Sequence, residues 1–143
     1  MTNLPADFYR SPYRVFINDE AQTVQHTPTG DVVLASLSGD LNVVILPDYD
    51  FENVVVRPLR HGIALEREGR QLRFRCSMPA DRRPLQLSVE IDGDLERPLF
   101  LLLSPPEENV PKPGPGVYFF EAGRVHEIGV LELQSNETVY IAP

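Results

Sequence analysis

Tryptophan is absent from this chain and cysteine occurs once. The lone Cys76 excludes an internal disulfide, so the fold must rest on burial and backbone pairing alone. Its place in the alternation Leu72, Phe74, Cys76 assigns it to the core rather than to reactive chemistry. Long apolar runs are missing too. The longest, Leu99 to Leu103, has the length of a strand, far from the ~18 residues of a membrane span. The amino terminus, Met1-Thr2-Asn3-Leu4-Pro5, has neither the basic stretch nor the apolar stretch of a signal peptide. Positive charge is scarce: 13 Lys and Arg against 21 Asp and Glu give a net charge of −8. That balance excludes nucleic acid as an expected partner, since phosphate binding needs a dense basic surface.

Helical periodicity is the remaining absence. No window repeats apolar residues every 3.6 positions, and 14 prolines leave little room for a long helix, because each removes a backbone donor. What is there has a period of two. Leu85, Leu87, Val89 and Ile91 face one way, with Gln86, Ser88, Glu90 and Asp92 facing the other, and Asp92-Gly93-Asp94 follows as a turn. Similar runs are Tyr13 to Ile17, Val32 to Leu37, Leu41 to Leu46, Val54 to Val56, Ile63 to Leu65 and Leu72 to Cys76. Asn18-Asp19-Glu20-Ala21, Ser38-Gly39-Asp40 and Glu68-Gly69 read as hairpin connections. Many short strands at roughly 8–12-residue spacing predict an all-β fold, an antiparallel β-sandwich with Greek-key connections. At 143 residues with 42% apolar content, the chain can bury a core without staples.

The predicted sandwich covers residues 1–103. Residues 104–116 carry five prolines and two glycines and read as a stiff, extended strap. From 117 to 143 follow VYFF and two further predicted strands, Gly129 to Leu133 and Thr138 to Ile141, joined by Gln134-Ser135-Asn136-Glu137. Their apolar residues Val130, Leu131, Val139 and Ile141 have no visible cover, which predicts a docking surface or self-association through these strands. The pattern also predicts that more fold follows.

Candidate chemistry is sparse. Asp48, Asp50 and Glu52 alternate with Tyr49 and Phe51 and offer oxygen ligands. They lack the spacing of a calcium loop, so a solvated loop is the reading. His26, His61 and His126 are far apart with no second ligand at zinc spacing. The basic cluster Arg67, Arg70, Arg73, Arg75, Arg82 and Arg83 is interleaved with apolar residues and reads as a solvated face. No catalytic residue, metal or cofactor is expected. Among the rings, Tyr9 and Tyr49 on loops are the candidate carbohydrate contacts, whereas Tyr13 and Tyr118 pair with buried positions. Asn136-Glu137-Thr138 is a formal glycosylation sequon.

Several of these motifs occur together in order: Asn53 to Leu59 with Gly62-Ile63, Leu87 to Asp94, Arg97 to Leu103 with Pro105 to Glu108, and Val117 to Phe119, Val125 to Leu133 and Thr138 to Ala142. In this order they resemble the segment leading into the catalytic domain of right-handed parallel β-helix glycoside hydrolases. These are the polygalacturonase-like family 28 and the dextranase and isopullulanase family 49. The resemblance implies an N-terminal β-sandwich, the first strands of a β-helix, and a polysaccharide-degrading parent in a secreted or extracytoplasmic setting. It implies a partner, the β-helix catalytic domain, which this segment would cap and stabilise. A carbohydrate-binding module presenting polysaccharide to that domain is the alternative. The family's catalytic acids lie on later coils, so none maps onto this chain. Glu121-Ala122-Gly123-Arg124 departs from the family's usual Pro-Gly at that turn.

Overall fold

The computed structural model describes residues 10–142, and the chain divides into two compact units, at Pro106 and Glu107. That boundary falls inside the predicted proline-rich strap.

Among the described residues, the first unit holds ten strands in two sheets. In chain order they are β1 Tyr13–Ile17, β2 Glu20–Gln22, β3 Val24–Thr27, β4 Gly30–Ser36, β5 Asp40–Pro47, β6 Val54–Arg57, β7 Leu65–Glu68, β8 Gln71–Ser77, β9 Leu85–Ile91 and β10 Leu99–Ser104. One sheet runs β2-β1-β5-β8-β7 and the other β3-β4-β10-β9-β6. The first is antiparallel throughout. In the second, β10 pairs antiparallel with β9 but parallel with β4. The sheet is therefore mixed, which corrects the purely antiparallel expectation. A parallel pair needs a long crossover, and here the chain forms β5 to β9, drawn from both sheets, between β4 and β10.

Period-two alternation explains the core. Val15, Ile17, Leu41, Val43, Ile45, Leu72 and Phe74 come from one sheet and Val33, Leu85, Leu87, Val89, Leu99, Leu101 and Leu103 from the other, in one buried cluster. Each such side chain contributes roughly 1.5–3 kcal/mol when taken from water. Asn18-Asp19, both with positive φ, turn β1 into β2, and Gly69-Arg70 turn β7 into β8. Ser38-Gly39 does not make a hairpin: β4 and β5 lie in different sheets, so this turn carries the chain across. At the start of β4, Gly30 has φ +138°, and a Cβ there would stand 2.7 Å from the Pro98 carbonyl oxygen. That close approach of β4 to the entry of β10 requires glycine.

The second unit contains β11 Val117–Phe120 and β12 Thr138–Ile141. They pair parallel, Val117 with Thr138 through Phe120 with Ile141. Gly129 to Leu133 forms no strand, which corrects the prediction of a β-strand there, and the partner of β12 is β11 rather than that segment.

Candidate functional site

The predicted docking residues lie in the second unit. Val130 is 89% exposed, Ile141 73% and Val139 37%, while Leu131 is half-buried. Val125, Ile128 and Leu133 extend the same exposed apolar series. β11 and β12 form a two-stranded sheet, an arrangement that leaves backbone groups unpaired on both edges. Tyr140 donates to the Glu107 carboxylate and its ring tilts against Phe119 at 4.9 Å. His126 Nε2 is 2.9 Å from the Glu121 carbonyl oxygen, and its ring packs T-shaped with Phe120 at 5.2 Å.

The acidic loop and the basic cluster, separate in sequence, meet in the first unit. Arg67 donates from Nη2 to the Phe51 carbonyl (2.7 Å) and from Nη1 to the Glu52 carbonyl (2.8 Å). Its guanidinium carbon sits 4.1 Å from the Phe51 ring centroid. Arg70 donates to the Asp50 carboxylate (2.7 Å) and to the Asp48 carbonyl (3.1 Å). That hydrogen bond and the adjacent guanidinium hold the Asp50 carboxyl below the usual range. The β7–β8 hairpin thus clamps the loop after β5 through its backbone. Among the described residues, no group of three or more Asp, Glu, His or Cys is arranged to hold a metal.

A different constellation stands at one end of the two sheets. Tyr13 is inward-facing on β1, and its hydroxyl is 2.7 Å from that of Tyr49. Burial first, then this bond, push the Tyr13 phenol well above its ordinary range, with a further push from the Asp31 charge. Burial also raises Tyr49. Tyr49 lies in the loop after β5, half-buried between exposed Asp48 and Asp50, with its ring T-shaped to Tyr13 at 6.1 Å. Across from them, His26 and Asp31 are directly opposed on the β3–β4 hairpin. His26 Nδ1 lies 2.8 Å from Asp31 Oδ1, and the Asp31 side chain is 5% exposed. Asp92 and Asp94, in the turn after β9, and Arg97 complete a cleft of about 360 Å³.

Sequence reasoning nominated Tyr49 but missed the others. The available signal was Asp31, two residues before the buried Val33 on the same strand face. Tyr9 lies outside the described residues. Cys76 is half-buried against the core, and burial raises its thiol. The outer face of the second sheet carries an ion pair, Arg57 Nε to Glu90 Oε2 at 2.9 Å. Among the described residues, no helix is long and apolar enough to cross a membrane. No family model matches the chain, and no curated protein matches it either.

Proposed function

We propose that this chain is the non-catalytic N-terminal part of a polysaccharide-degrading β-helix glycoside hydrolase. In this reading the first unit is a β-sandwich, and β11 and β12 belong to the opening coil of the catalytic β-helix that the segment caps. The observation that carries the reading is the register of β11 with β12: a parallel pair, in step over four residues, joined without a helix. The usual route between parallel strands is a helical crossover. A helix-free connection whose offset is at the short end of the roughly 20–45 residues of a solenoid repeat suits a coil of a solenoid. A single coil cannot bury its own apolar face, which accounts for the exposed Val130, Val139 and Ile141.

The test is made on the isolated chain. Amides of β11 and β12 should exchange with deuterium at least a hundred-fold faster than those of β10, and sedimentation should show self-association as concentration rises. Equal protection of β12 and β10 in a strict monomer would mean that the second unit is already complete, and the reading would fail.

A further inference from the structure

We propose that the cleft between Tyr13, His26, Asp31, Tyr49, Asp92, Asp94 and Arg97 binds a small uncharged polyhydroxylated ligand of monosaccharide size. Capping a β-helix requires no such site, so the inference goes beyond that reading.

The cleft has unspent hydrogen-bonding capacity. A phenol pair at 2.7 Å uses one O–H proton, so whichever ring donates, one hydroxyl proton remains to be given. An ionised Asp31 carboxylate only accepts, so in the 2.8 Å contact His26 Nδ1 must donate. Asp92 Oδ1 accepts the backbone N–H groups of Glu52 and Asn53, and Asp94 Oδ1 accepts those of Glu96 and Arg97. Both carboxylates are thereby held in place by backbone, and neither takes part in an ion pair among the described residues. Each retains an oxygen for further bonds.

The lining therefore offers fixed acceptors from Asp92 and Asp94 beside donors from a phenol and the Arg97 guanidinium. An anion would meet the three carboxylates. An ammonium could use none of the donors. A hydroxyl both donates and accepts, and vicinal hydroxyls match a carboxylate and a guanidinium together. The volume of about 360 Å³ is at the small end of ligand pockets, and two aromatic rings form part of its wall.

The experiment is titration of the ¹⁵N-labelled full chain with glucose, galactose and mannose, with ethanolamine and acetate as charged controls. At least one neutral sugar should shift the amides of Asp31, Tyr49, Asp92 and Asp94 saturably, with a millimolar Kd. The Asp94→Asn change keeps the oxygen that accepts the turn's N–H groups, and Tyr49→Phe keeps the ring. Each should weaken binding about three- to ten-fold, the size of one hydrogen bond, while the rest of the spectrum is unchanged. No saturable shift with any of the three sugars at 100-fold the protein concentration and beyond, to about 50 mM, would overturn the proposal. So would tighter binding of ethanolamine or acetate than of every sugar, or shifts that both variants leave intact.

Discussion

The hydroxyl of Tyr13 is kept protonated by its surroundings: burial disfavours the phenolate, the Tyr49 hydroxyl bonds to it, and the Asp31 charge adds to both. Because the folded-state value lies above the unfolded value of 10.0, the sign of the pH effect is fixed. Below about pH 10 neither state ionises and this residue adds no pH dependence. Above it the unfolded chain loses the proton first, so stability falls, by up to about 1.4 kcal/mol per pH unit. Urea midpoints of the native chain and of Tyr13→Phe should therefore run parallel from pH 7 to about 10. Beyond that the native chain should fall more steeply. A native midpoint that declines no faster than that of the Phe variant would contradict the assignment. At this scale the sequence was only partly legible. Tyr13 was readable as buried from its step with Val15 and Ile17. Its partner was not, because Tyr49 approaches from a loop whose path depends on the Arg67 and Arg70 clamp. Asp31 was readable in principle, since alternation with Val33 puts it on the buried face.

Strands with two or more apolar residues in step were visible in the sequence, and those without them were not. β9 is observed over Leu85–Ile91, and β5, β8 and β10 extend their apolar runs by a residue or two. β2 (EAQ), β3 (VQHT) and β7 (LERE) carry at most one apolar residue. They form because a neighbour's edge supplies hydrogen bonds, which a single-strand pattern cannot show. The reverse holds at Gly129 to Leu133, where β-forming residues pair with no neighbouring strand. The parallel β4–β10 pair was hidden for a related reason: alternation gives the buried face but not the neighbour or its direction. The outcome of truncation follows from the same geometry. Leu101 is fully buried and paired with Leu87 on one side and Val33 on the other. Leu101→Ala should cost about 2–5 kcal/mol, read as a lower urea midpoint at unchanged m-value. Leu102, half-buried on the opposite face, should cost under about 1.5 kcal/mol by the same change. Equal losses would contradict the placement of the core between the two sheets.

On the scale of the whole molecule, the two units differ in how their apolar residues are used. Among the described residues, every member of the buried core cluster lies between Tyr13 and Leu103, while the largest exposures of apolar side chains, Val125 at 94% and Val130 at 89%, are in the second unit. Exposed apolar surface with open strand edges is unfavourable in a free protein and suits a surface that another element covers. In the proposed reading that element is the catalytic β-helix, and the parallel register of β11 with β12 supports it. The most direct measurement is the intact mass and sequence of the natural gene product. The account predicts a polypeptide far heavier than 16.1 kDa, continuing from β12 in repeats of roughly 20–45 residues with paired carboxylates on later coils. A natural product that consists of these 143 residues alone would contradict it.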